Sequence, residues 1–146
     1  MSSQVDIFNN SPAAMETVIK SVKSPKTPIM QSKFQKDHTF EVRSQESAKI
    51  LGKYPDRIPL IVEKVPNNSI LPQISKTKFL VPDDITITQF MFIVRKYLKL
   101  DPSVSIYLFC DGVIPNASET ISTTYINHKD ADGFLYIFYA GENTFG

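Results

Sequence analysis

The stretch "TITQFMFIVRKYLKL" puts Ile87, Phe90, Met91, Val94 and Leu98 on one helical face and leaves Gln89, Arg95, Lys96 and Lys99 largely outside it. A helix with a single apolar stripe must bury that stripe against a second layer. Its neighbours identify the layer. "RIPLIVEK" and "KTKFLVP" precede it, "SIYLFC" and "GFLYIFYA" follow it, and all four read as strands. The last is apolar on both faces, which predicts a central strand.

The remaining elements fall between these. A helix is predicted over "TFEVRSQESAKILGKYP", opening near Thr39 and stopped by Gly52 and Pro55. "VPNNSILPQIS" joins the first two strands, and Asp111-Gly112 signals a hairpin into a short "VIP" strand. "SETISTTYINHK" predicts a short helix capped by Ser118. The order is helix, strand, strand, helix, strand, short strand, short helix, strand, without an internal repeat. That is an α+β class. Leaving the first helix aside, it is the order of a ubiquitin-like β-grasp, a mixed sheet wrapped around one long helix.

Residues 1–33 differ in character from 34–146, and we expect a flexible N-terminal arm ahead of one domain. "SVKSPKTPIMQSK" has the Ser, Pro, Thr and Lys content of a linker. Its "SPK" and "TPI" are proline-directed phosphorylation dipeptides at Ser24 and Thr27, common in linkers. Within the arm, Ser11 is an N-cap candidate with Pro12 at the first helical position. Met15, Val18, Ile19 and Val22 then follow helical spacing, flanked by Lys20 and Lys23. Such a short amphipathic helix is marginal alone. Its own domain, a membrane surface and a partner protein are the three supports open to it.

Several function classes are disfavoured. A net charge of +1 over 146 residues lacks the basic excess of a nucleic-acid binder. "MSSQVDIFNN" is too polar for a signal peptide, and "FLYIFYA" is too short to span a bilayer as a helix. The one cysteine, Cys110, lies in an apolar strand without a basic neighbour to activate it. His38 and His128 are far apart, "HKDAD" lacks zinc or EF-hand spacing, and no Gly-rich phosphate loop is present. We therefore expect no enzyme, cofactor or metal site.

In "KTKFLVP" strict alternation puts Lys76, Lys78 and Leu80 on one side and Thr77, Phe79 and Val81 on the other, with Pro82 ending the ladder. If this strand is a sheet edge, its free backbone groups can pair with an extended peptide. Edge lysines equally serve to block unwanted pairing. The strand alone leaves both readings open.

"FEVR", "YPDRIPLIVEK", "KFLVPDDITITQFMFIVRK", "HKDADGFLYIFYAGENTFG" and the terminal Phe-Gly occur in an order and spacing that resembles the GABARAP-type ubiquitin-like autophagy modifiers, the autophagy-related protein 8 family. The resemblance runs from about Phe34 to the end. It implies a ubiquitin-like β-grasp with additional N-terminal helices and no catalysis of its own. An activating enzyme takes the C-terminal glycine, here Gly146, as a thioester. A conjugating enzyme transfers it to the amine of phosphatidylethanolamine, and a cysteine protease deconjugates it. The implied localisation is cytoplasm and autophagosome membrane. The implied partners, apart from those enzymes, are cargo receptors and autophagy factors with aromatic-x-x-aliphatic motifs, and no nucleic acid. The runner-up is a non-conjugated soluble interaction module, an adaptor or a microtubule-associated protein.

By matched motif, the resemblance implies an aromatic pocket of Glu46, Ile50, Pro59, Lys78, Leu80 and Phe134. It implies an aliphatic pocket of Phe79, Val81, Pro82, Ile85, Phe90 and Ile93, with Arg57, Lys76 and Lys78 meeting acidic residues of the motif. Ile106, Tyr107 and Leu108 correspond to a second face used by some members. The chain departs from the pattern in four places. The arm before Phe34 is long, "VPNNSILPQIS" is one residue longer, and Tyr97 replaces a frequent basic residue. Gly146 is already last, where most members need a protease to expose it; either a ready-made or a processed chain fits.

Overall fold

The computed structural model describes residues 31–66 and 71–141. The expected helix at Met15–Val22, residues 67–70 of the connection between the first two strands, and the tail after Gly141 lie outside the described residues. The elements are α1 (Lys33–Asp37), α2 (Phe40–Lys53), β1 (Arg57–Lys64), β2 (Lys78–Pro82), α3 (Ile87–Leu98), β3 (Ile106–Phe109), α4 (Ile121–His128) and β4 (Leu135–Gly141).

The strands form one sheet in the order β2-β1-β4-β3. β1 and β4 are parallel, and each pairs antiparallel with its outer neighbour. β4 is therefore central, as its two apolar faces predict. Ile58, Leu60 and Val62 of β1, Phe79 and Val81 of β2, Ile106 and Leu108 of β3, and Leu135, Ile137 and Tyr139 of β4 face Ile87, Phe90, Val94 and Leu98 of α3. Met91, on the same stripe, is only partly buried at the rim. Thr86 opens α3 with a capping box: it accepts from Gln89 N, and Gln89 Oε1 accepts from Thr86 N. The opposite, outer face of the sheet carries Phe34 of α1 and Ile50 of α2 on Ile61 and Phe134. This is the β-grasp expected from the order of elements.

Several local expectations need correction. α1 was not foreseen; five residues are too few to show a period. α2 opens at Thr39, which accepts from Val42 N, but Gly52 lies inside it. The stop is Pro55, which pushes Tyr54 out of helical geometry. α4 is capped by Thr120, not Ser118. Glu119 O accepts from Ile87 N and Thr120 bridges to Thr86, so this segment stays extended and the helix starts after it. Ser118 instead donates to Asn116 Oδ1 in the preceding turn. The "VIP" strand reduces to Val113, which exchanges two backbone bonds with Cys110 across Asp111 and Gly112, both at positive φ.

α2 is fastened to the sheet by a buried carboxylate. Asp132 accepts from Arg43 Nε at 2.7 Å, from the Tyr136 hydroxyl and from Phe134 N. Its carbonyl accepts from Ser47 Oγ. Arg43 also donates to Gln35 O and His38 O, which ties in α1. Burial first, then the Asp132 carboxylate, pushes the Tyr136 phenol well above its usual range, so Tyr136 is held as a donor. The chain comes so close at Gly133 (φ +93°) that a Cβ there would lie 2.3 Å from Ser47 Oγ.

Two glycine substitutions should therefore have opposite signs in denaturant titrations. Gly133→Ala should destabilise by about 1–3 kcal/mol through backbone strain and the Ser47 clash. Gly52→Ala, in the last turn of α2 with open space around it, should stabilise by up to about 1 kcal/mol.

Candidate functional site

β2 has β1 on one side and, among the described residues, no strand on the other. Half of its N–H and C=O groups point outward, in the geometry that accepts an added strand. Its side chains alternate between the face that packs on α3 and the face that carries α1 and α2.

The six residues expected in the aromatic pocket are placed on the α2 side as follows. Pro59 is in register with Leu80. Lys78 Nζ lies 2.7 Å from Glu46 Oε2, joining β2 to α2. Ile50 packs on a cluster that includes Phe134. Leu80, Ile50 and Glu46 are half-buried, while Pro59 and Phe134 are buried. Phe34, absent from the sequence expectation, belongs here as well. Its ring meets Phe134 edge-on at 5.4 Å, and Lys78 Nζ sits 5.3 Å from its centroid. The signal was available: Phe34 is where the dense apolar pattern starts.

On the α3 side, Phe79 and Val81 are 5% exposed, with Ile85 and Ile93 partly buried beside them. Phe90 is fully buried and meets Phe79 edge-on at 5.7 Å, so it supports Phe79 from beneath. Pro82 is exposed at the strand end, where alternation assigns it to Leu80's side. Arg57, in register with Pro82, is exposed at the same end.

Lys76 departs from the expected alternation. The regular strand starts at Lys78, and the Lys76 ammonium crosses to the other face, 5.1 Å from the Phe79 ring centroid and 5.6 Å from that of Tyr97. Phe79 and Tyr97 meet edge-on at 5.2 Å. Tyr97 thus places an aromatic wall where a second cation was expected, and it draws Lys76 onto that wall.

On the far edge, Ile106 and Leu108 of the second face point into the core against α3. Only Tyr107 of the three turns to the outer face, beside Phe109 and Phe138. Cys110 is fully buried, and burial pushes its thiol up to about 12, which suppresses nucleophilic reactivity. Gly146 lies outside the described residues.

Comparison with known proteins matches this architecture. The family model described as "Autophagy protein Atg8 ubiquitin like" covers residues 42–146. Autophagy-related protein 8 of Mycosarcoma maydis is 50% identical over 117 residues, which is 80% of this chain and 98% of the relative. That of Schizosaccharomyces pombe is also 50% identical over 117 residues, 80% of this chain and 96% of the relative. The solved structure of Trypanosoma brucei ATG8 superposes with a TM-score of 0.73 at 38% identity, covering 77% of this chain and 96% of that one. The family model spans residues 42–146 and these relatives are half identical over 80% of the chain, so the chain belongs to the autophagy-related protein 8 family of ubiquitin-like proteins.

Proposed function

We propose that this protein is a lipid-conjugated modifier that acts as a membrane-tethered docking module in autophagy. Gly146 is the point of attachment. The carboxylate is adenylated by ATP with release of pyrophosphate. An activating-enzyme thiolate then displaces AMP to give a thioester, which is handed to the conjugating enzyme. The amine of phosphatidylethanolamine attacks the acyl carbon and expels the thiolate, leaving an amide. Glycine has no side chain to crowd that carbon, and Phe145 gives the enzymes an apolar handle beside it. A cysteine protease reverses the linkage. The protein then cycles between cytoplasm and autophagosome membrane, and supplies no catalytic residue of its own.

One observation carries the docking half of this reading: the β2 side chains of the two expected pockets lie on opposite faces of a single edge strand. Residues i and i+3 of an extended peptide also point to opposite faces, about 10 Å apart along the chain. An aromatic-x-x-aliphatic motif added alongside β2 would send its aromatic residue toward Ile50 and Leu80 and its aliphatic residue toward Phe79, Ile85 and Ile93. Motifs of this kind in cargo receptors and autophagy factors are the proposed ligands. Burying ~150–250 Å² of aromatic surface brings roughly 4–6 kcal/mol gross. Ordering the peptide removes much of it, so micromolar affinity, about −8 kcal/mol, is expected.

Two experiments test these halves separately. Leu80→Ala with Ile93→Ala alters one half-buried side chain in each expected pocket and spares the fully buried Phe90. Isothermal titration should show peptide affinity reduced on the order of tenfold or more, with cooperative unfolding retained. Unchanged affinity would remove the docking assignment. With activating and conjugating enzymes, ATP and phosphatidylethanolamine liposomes, mass spectrometry should find the lipid adduct on the intact chain. Deleting Gly146 should abolish both thioester and adduct, and Gly146→Ala should sharply reduce them, with peptide affinity unchanged. Adduct at full yield from the Gly146-deleted chain would overturn Gly146 as the point of attachment, and absence of adduct from the intact chain would leave only the non-conjugated module.

A further inference from the structure

At one end of the α3 side of β2, three side chains form a platform that the docking mode proposed above leaves unused. Phe79 is buried and meets the Tyr97 ring edge-on at 5.2 Å, with the ring planes at 87°. Lys76 Nζ lies 5.1 Å from the Phe79 centroid and 5.6 Å from that of Tyr97. Tyr97 stays 40% exposed and Lys76 is exposed, so ring surface and a cation both face the β2 edge's solvent side. Ile93 and Tyr97 are four residues apart on α3, hence neighbours along its surface.

The strand fixes where this platform lies. Val62 N donates to Thr77 O, so pairing with β1 already holds at Thr77, and Lys76 stands just before it. Lys76 and the Tyr97 ring therefore mark the start of β2, whereas Val81 and, past the strand's end, Ile85 mark its finish. The proposed aromatic site uses Lys78 and Leu80, and the proposed aliphatic site reaches on to Val81 and Ile85. A motif spanning both runs parallel to β2, aromatic residue first. In an extended chain its first spacer shares the face of the aliphatic residue and precedes it by about 6.8 Å, two residues at about 3.4 Å each. That step leads back from Val81 and Ile85 toward Phe79, Tyr97 and Lys76.

The chemistry of the platform decides what it takes. An acidic spacer gains one exposed ammonium, which is a weak and salt-screened partner. It also sets a carboxylate against aromatic faces, whose negative charge repels it. An apolar or aromatic spacer covers the open part of the Tyr97 ring and leaves Lys76 in place on the two rings.

We propose that Tyr97 determines specificity: with Phe79 and Lys76 it forms a third subsite, which selects motifs whose first spacer is Met, Leu or an aromatic residue over motifs with Asp or Glu there. This selection rests on the docking reading above and narrows the partners to extended segments of the form aromatic-apolar-x-aliphatic.

The test is isothermal titration of the full chain with two synthetic peptides, Trp-Met-Thr-Leu and Trp-Glu-Thr-Leu, between identical flanks. The intact chain should bind the Met peptide roughly three- to tenfold more tightly. The ratio should grow with salt, because only the Glu peptide draws on Lys76. Tyr97→Phe should keep the preference. Tyr97→Arg should erase or invert it, and thermal melting should show that this half-exposed position leaves folding cooperative. Equal affinities or a preference for Glu in the intact chain would overturn the proposal and leave the docking reading standing. So would a folded Tyr97→Arg chain that keeps the Met preference. Should Tyr97→Arg not fold, the intact chain and Tyr97→Phe decide: loss of the preference in Tyr97→Phe would overturn the ring's role. If neither peptide binds the intact chain, the docking reading falls and the proposal with it.

Discussion

Strands β1 and β4 run parallel side by side, and from that pairing follows much of the molecule's layout. Parallel neighbours cannot be joined by a tight turn; the connection must cross a face of the sheet. Here α3 makes that crossing and covers one face. A parallel pair is also buried on both sides, so the outer face needs a layer too, which α1 and α2 supply over Ile61 and Phe134. With the centre occupied, β2 and β3 are left as edges. β2 touches both layers: Lys78 pairs with Glu46 of α2, and Phe79 packs on Phe90 of α3. The proposed site is a consequence of where the sheet runs out.

The outer layer could slide if only Phe34 and Ile50 held it. Asp132 prevents this by binding Arg43 and Ser47 of α2 as well as its own strand's Tyr136 and Phe134 N–H. A buried carboxylate holding three donors is directional in a way that apolar contact is not. It fixes the distance from α2 to the sheet, and hence how Glu46 and Ile50 sit against β2 and β1. Gly133 is the backbone accommodation for this closeness, because no side chain fits between Asp132 and Ser47.

What was legible in the sequence had a period. β1 occupies the same eight residues read from "RIPLIVEK", and the α3 stripe and the centrality of β4 came from apolar spacing alone. What was missed depends on contacts that no local window contains. Thr120 displaces Ser118 as cap because β-bridging to Thr86, in a distant part of the chain, keeps it extended. Arg43 and Asp132 are 89 residues apart, and each reads as a solvated charge until the fold joins them. Lys76 obeyed the alternation rule on paper, but the strand had not started and Tyr97 offered its ammonium a better surface. The pocket residues themselves came through the family resemblance, because side chains such as Phe79 and Phe90 look like ordinary core and largely are core.

Charge at the edge follows from the same geometry. Lys78 is already paired with Glu46 and lies over Phe34, and Lys76 lies over Phe79 and Tyr97. An acidic residue on an incoming peptide therefore exchanges one partner for another, and little net energy is released. Exposed pairs of this kind are also screened by salt. Their larger effect is on encounter: cations along an edge strand draw an acidic extended chain toward it before any backbone bond forms. In the proposed docking mode, anchoring then belongs to the apolar side chains on the two faces of β2. Tyr97 shifts the balance further that way, because it adds ring surface on the aliphatic side where a second cation would have added only steering.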